Sequence, residues 1–221
     1  MTDIIRRTSV DIPIPEIVRY LGYRGNQPDE NVMRLILSCA EEINEIADYR
    51  ACRESVPVTE MPEGMMLQDI LLPGKAIRKN LSGCAEAYAF AATVGPAVDR
   101  RISALKYTQP SRALIMDAAA SAAVEAFCDE LNGLWAKEAV SEGRFLRMRF
   151  SPGYGDLPIS VQKDLLRLLD AAHHAGITLT DSMMMIPRKS VSAVIGIAGE
   201  CGKRARAGCS GCALVNCEYR R

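Results

Sequence analysis

Residues 116–135 read MDAAASAAVEAFCDELNGLW and form the centre of the longest helical pattern in the chain, over residues 110–141. Small side chains crowd this stretch, so another backbone or a ligand can come close. A tightly packed central helix accounts for the same composition. Upstream, Gly95-Pro96 opens a helix running to about residue 107, and AEAYAFAATV (85–94) reads as a buried strand. A short helix is expected near 75–82, after Pro73-Gly74, with extended segments at 54–60 and 64–72. Earlier still, 29–52 reads as an amphipathic helix: Asp29 is the N-cap, and Val32, Leu35, Ile36, Cys39, Ile43 and Ile46 follow helical spacing. Downstream, RFLRMRF (144–150) alternates charged and apolar residues, predicting a strand with one polar face. SPGYGDLP (151–158) is turn chemistry, 159–175 a helix stopped by Gly176, and TLTDSMMMIP (178–187) and SVSAVIGIA (190–198) strands. Helices and strands alternate without a regular βαβ rhythm, which predicts an α+β fold with a mainly antiparallel sheet.

The chain has 221 residues, 48% hydrophobic and 24% charged, an ordinary globular composition. Lys+Arg and Asp+Glu both number 27, so no basic excess marks a nucleic-acid binder. No apolar run has the length of a membrane span, and MTDIIRRTSVDIPIPE has charges and prolines where a secretory signal has an apolar core. A cytoplasmic location is expected. The balance of charge is uneven: from residue 201 on there are five basic residues and one acid. Of eight cysteines, Cys39, Cys52, Cys84 and Cys128 are scattered, and Cys39 falls on the apolar stripe of its helix. The other four, Cys201, Cys209, Cys212 and Cys217, include one C-x2-C pair. In a reducing compartment such a cluster points to a metal, either an iron–sulfur cluster or zinc, with redox thiols as the alternative. Residues 1–198 are expected to form one domain and 199–221 a Cys-rich metal-binding tail.

Two other sets of residues suggest chemistry. Glu125 is the only charged residue between Asp117 and Asp129, and it shares a helix face with Asp117 and Ser121. A carboxylate among Ala, Val and Phe needs a partner, which could be a ligand's ammonium or hydroxyls, a structural Arg, or solvent. The second set is Arg149 to Tyr154. Arg149 ends a strand before a turn, where a guanidinium can grip a carboxylate with two parallel hydrogen bonds, and Tyr154 adds a flat face and a hydroxyl. Pro152 and Gly153 fix the backbone so that peptide groups can meet a ligand. A plain turn with a surface Arg is the alternative.

VEAFCDEL around Glu125, RFSPGY from Arg149 to Tyr154, and GITLTDSMMMIPRKSVSAVIG from Gly176 to Gly196 occur in an order and spacing that resemble the activation domain of cobalamin-dependent methionine synthase. IPEIVRYLGYRG is similar to its free-standing, single-domain members. The resemblance implies a C-shaped α+β fold with a bent antiparallel sheet. It implies a domain that binds S-adenosylmethionine and caps the partner's cobalamin while oxidised cob(II)alamin is reduced and remethylated. Residue by residue, Glu125 matches the family's helical ligand-binding Glu, and Arg149 the Arg that binds the methionine carboxylate. Tyr154 matches the Tyr of PGY near the meeting point of ligand and cobalamin, and Met184 a position whose backbone contacts the adenosyl group. Pro152 and Gly153 complete the expected binding set; no residue is expected to be catalytic.

The family's N-terminal acidic ligand residue is not assigned to a position in this shorter chain, and the Cys-rich tail replaces a later segment with a Tyr contact. Without cobalamin- or substrate-binding modules in the sequence, the protein is expected to act in trans on a cobalamin-binding methionine synthase or another corrinoid protein. Flavodoxin, ferredoxin or a cluster on the tail would supply the electron. A reductive activator and a non-catalytic chaperone of a corrinoid protein are the alternative functions. Asp170-Ala-Ala-His173-His174-Ala-Gly176 has one residue more than the D-x-H-x-x-G signature of cobalamin-binding domains and ends an amphipathic helix, so His173 is not read as a cobalt ligand.

Overall fold

The computed structural model describes residues 2–23 and 25–199. Its organising strand is β2 (Tyr49–Met61). On one side, the first half of β2 pairs with β1 (Asp3–Arg7) and the second half with β3 (Gly64–Leu67), which turns back into β4 (Ile70–Pro73). On the other side β2 pairs with β5 (Cys84–Thr93), and β5 pairs with β9 (Ser190–Ala198). β6 (Phe145–Leu146) lies beyond β9. Every pairing is antiparallel, as expected for α+β.

Both faces of this sheet are covered. Tyr88, Phe90 and Ala92 of β5, with Val94 just after it, join one core; Ala87, Ala89 and Ala91 join the other. That two-sided burial explains why 85–94 is a nearly continuous apolar run rather than an alternating one. The first core lies under α1 (Ile14–Tyr20), α2 (Glu30–Ile46), α4 (Pro96–Thr108) and α5 (Pro110–Ser141). The second lies under α3 (Lys75–Leu81), α6 (Val161–Leu168) and α7 (Ala171–His174), with a small hairpin of β7 (Thr178–Leu179) and β8 (Met185–Ile186) beside it.

α5 is the central helix that its small residues predicted. Ala118, Ala119, Ala122 and Ala123 are buried, and α5 packs on α1, α2 and α4 as well as on β5, β6 and β9. Pro110 fits its first turn, where no N–H partner is lost. Gly143, at φ 72°, ends it: the Gly143 N–H donates to the Val140 carbonyl and the Arg144 N–H to that of Ala139. Glu42 of α2 accepts from Arg101 of α4 and Arg112 of α5, tying the three helices together. Burial alone would raise the Glu42 carboxyl, but the two guanidiniums outweigh it and hold the group below the usual carboxylate range.

Four expected boundaries move. α2 begins as predicted, with Asp29 accepting from Asn31 N and Val32 N at 2.8 and 2.9 Å, but ends at Ile46 rather than near 52. Residues 49–52 are drawn into β2 by pairing with β1 and β5, and Cys52 becomes a buried strand residue. The helix over 159–175 breaks at Asp170, which is left-handed at φ 42°, into α6 and α7. The strand expected over 178–187 is only the short β7–β8 hairpin. The strand over 144–150 is interrupted, and that interruption shapes the site.

Candidate functional site

Along β9 the 145–150 segment pairs Phe145 with Ala198 and Leu146 with Ile197, then resumes with Phe150 against Val194. The register has advanced by one, so residues 147–149 hold one more residue than the facing strand: a bulge. Leu146 packs on the α5 side, and unbroken alternation would place Phe150 there and Arg149 opposite. The bulge reverses this. Phe150 joins the second core, and Arg149 turns to α5. Arg147 stays on the other side, its Cγ near the point where a Gly196 side chain would begin, so the two arginines do not share the single polar face that the alternation predicted.

Arg149 Nη2 donates to Glu125 Oε2 at 3.2 Å and to Asp129 Oδ1 at 2.6 Å. The Arg149 side chain is 18% exposed, Glu125 33% and Asp129 56%, so the cluster is half-buried and open on the Asp129 side. Of the partners open to Glu125 on sequence grounds, the structure selects an arginine, and it is the arginine expected to bind ligand. Cys128, buried beside them, has its thiol pushed up to about 12 by burial. One and two turns toward the N-terminus of α5, Lys189 Nζ donates to Ser121 Oγ and pairs with Asp117 Oδ2, both at 2.9 Å. One face of α5 thus carries Asp117, Ser121, Glu125 and Asp129, met by two cations from the far side of the chain. A depression of about 360 Å³ opens at the Asp117 end of this face, lined in part by Leu114, Asp117 and Arg188.

The turn after Arg149 is fixed from three directions. Pro152 is buried, and Gly153, at φ 87°, donates its N–H to the Leu157 carbonyl at 2.9 Å. Asp156 accepts from Lys75 N at 2.6 Å and Ala76 N at 3.0 Å, on the first turn of α3. These N–H groups hold the Asp156 carboxyl below the usual carboxylate range. Tyr154, at the tip, is 68% exposed.

Met184 lies on the hairpin, with its side chain half exposed. Its N–H donates to Thr180 Oγ1 at 3.1 Å and its carbonyl accepts from Thr180 N at 2.9 Å. Met183 precedes it at φ 62°. Gln162, 5% exposed, holds this point: Nε2 donates to the Met183 carbonyl at 2.9 Å, and Oε1 accepts from Ser192 Oγ at 3.2 Å. From Ser190 to Ala193, β9 has no strand partner on this side among the described residues. This unpaired stretch of sheet edge lies beside the hairpin, to which Gln162 ties it through Ser192 and the Met183 carbonyl.

Glu125 and Arg149 are thus in direct contact, with Pro152, Gly153 and Tyr154 in the adjoining turn and Met184 on the neighbouring hairpin. The sequence reading missed Asp129, Lys189 and Gln162. Asp129 continues the four-residue ladder from Asp117, and Gln162 is a polar residue on the stripe of Leu165, Leu166 and Leu169; both signals were present. Lys189 had none. His173 is exposed on α7. Cys201, Cys209, Cys212 and Cys217 lie outside the described residues, among which no group of metal-binding side chains occurs. No helix among the described residues is long and apolar enough to cross a membrane.

A solved structure described as the crystal structure of the MetH reactivation domain bound to AdoHcy has a similar fold, with a TM-score of 0.64 at 19% identity. The match covers 89% of this chain and 78% of that one. No curated protein matches the chain. Over residues 35–201 the sequence matches the family described as vitamin B12 dependent methionine synthase, activation domain. That span contains α5, the Arg149 bulge, the turn and the hairpin, and the chain belongs to this family of methionine synthase activation domains.

Proposed function

We propose that this protein binds S-adenosylmethionine between α5, the Arg149–Tyr154 turn and the β7–β8 hairpin, and presents its methyl group to a cobalamin carried in trans by a methionine synthase. The observation that carries the reading is the bulge that turns Arg149 onto α5 beside Glu125. Arg149 Nη2 bonds both acids, and each fork of a guanidinium includes Nη2, so Arg149 grips the ligand carboxylate once the longer of these bonds, that to Glu125 at 3.2 Å, gives way. Glu125 accepts a hydroxyl or offsets the sulfonium. The turn and the hairpin hold the nucleoside through backbone groups, and Tyr154 stands at the exposed rim facing the partner.

The partner's cobalamin, once reduced, supplies a strongly nucleophilic cobalt, and the ligand supplies a methyl group on a good leaving group. The chain's residues have only to place the two centres and keep the sulfonium oriented. This explains why no nucleophile–base pair is needed. The electron comes from flavodoxin, ferredoxin or a centre on the tail. Calorimetric titration with S-adenosylmethionine tests the reading. Saturable one-to-one binding supports it, and no binding to the intact protein overturns it in favour of an activator or chaperone that uses no methyl donor.

A further inference from the structure

The ligand proposed above carries a carboxylate and an ammonium on one α-carbon, so their protein partners must themselves be neighbours. At this site Arg149 meets that requirement with Asp129 at 2.6 Å and with Glu125 at 3.2 Å. Asp129 is the more open of the two acids on Arg149, 56% exposed against 33% for Glu125, so its remaining lone pairs are accessible to an incoming donor. Charge agrees. Arg149, Glu125 and Asp129 together carry one negative charge. S-adenosylmethionine, with carboxylate, ammonium and sulfonium, carries one positive charge. Neutralising Asp129 would remove that complementarity and leave the ammonium facing a guanidinium.

We propose that Asp129 is the acceptor for the α-ammonium group of the ligand, while Arg149 holds the adjacent carboxylate. The assignment rests on the proposed function. The Asp129–Arg149 contact keeps the two groups side by side. On binding, Asp129 keeps its place beside the guanidinium and gains the ammonium.

The test compares S-adenosylhomocysteine with its desamino analogue, which keeps the carboxylate and lacks only the ammonium, by calorimetry on the full chain. The wild type is expected to prefer the amino compound by about tenfold, and Asp129→Asn to lose most of that preference while still binding the analogue. Glu130→Gln removes the same charge one residue away, but Glu130 is turned to Arg7 at 2.9 Å, so the preference should survive there. A preference retained in full by Asp129→Asn, or tighter binding of the amino compound by that variant, would overturn the assignment while leaving the proposed function standing. A wild type that binds neither S-adenosylmethionine nor S-adenosylhomocysteine overturns both.

Discussion

Arg149 Nη2 lies 3.2 Å from Glu125 Oε2, joining the rim of β9 to the middle of a helix 24 positions earlier in the chain. The contact exists because a bulge rotates Arg149 off the face that simple alternation gives it. Arg149→Ala should weaken S-adenosylmethionine binding by about 2–4 kcal/mol, since it removes the carboxylate's partner and leaves two acids unpaired. Arg149→Lys keeps the charge but loses the planar fork, and should fall between wild type and Ala. Calorimetry reads both; an Ala variant with wild-type affinity would place the ligand elsewhere.

Gln162 should be worth more than a polar residue in a short helix suggests. It is buried, and its two ends hold the Met183 carbonyl and the Ser192 hydroxyl. Gln162→Leu leaves both without that partner and should cost about 1–3 kcal/mol of stability, seen as a lower urea midpoint. Ligand affinity should fall as well, because Met183 and Met184 lose the support that fixes the hairpin against β9.

The α5 helix, the buried β5 strand and the SPGYGD turn were legible because each rests on local chemistry: small residues, two-sided apolarity, and Pro and Gly at fixed places. The end of α2 was not, because Tyr49, Ala51 and Cys52 suit an apolar helix face as well as a strand, and only pairing with β1 and β5 decides. The Arg149 bulge was also invisible. From Leu146 to Phe150 apolar and charged residues alternate, and the slip that sends Arg147 and Arg149 to opposite faces is set by where Phe150 meets Val194. Glu125 and Arg149 were each identifiable, but their contact depends on that slip.

The turn after Arg149 should loosen in acid. Asp156 accepts from Lys75 N and Ala76 N, and this holds its folded-state value below that of the unfolded chain. Its contribution is therefore fully present above the unfolded value of about 3.9, and is lost as pH falls through the lower folded one. Asp156→Asn should lower the urea midpoint at neutral pH, and the gap to wild type should close below about pH 4. Gly74, at φ 127°, has Asp156 Oδ1 at 2.7 Å from the place of a Cβ, so Gly74→Ala should disturb the same turn.

Thiol reactivity should divide the eight cysteines into two sets of four. Cys39, Cys52, Cys84 and Cys128 are all buried, and burial pushes the thiols of Cys52 and Cys128 up to about 12, so little thiolate exists at neutral pH. The native protein should therefore expose at most four reactive thiols to a sulfhydryl reagent, those of Cys201, Cys209, Cys212 and Cys217, rising to the full eight in denaturant. If those four hold a metal, as their spacing proposes, the as-purified protein should show fewer than four. Chelation should then restore the number, and Cys209→Ser with Cys212→Ser should abolish metal binding without moving S-adenosylmethionine affinity. Anaerobic purification decides the metal: iron with sulfide and a bleachable visible band indicates a cluster able to pass an electron, whereas stoichiometric zinc makes the tail structural. Four freely reactive thiols with no bound metal would remove the metal proposal and leave the electron to an external donor.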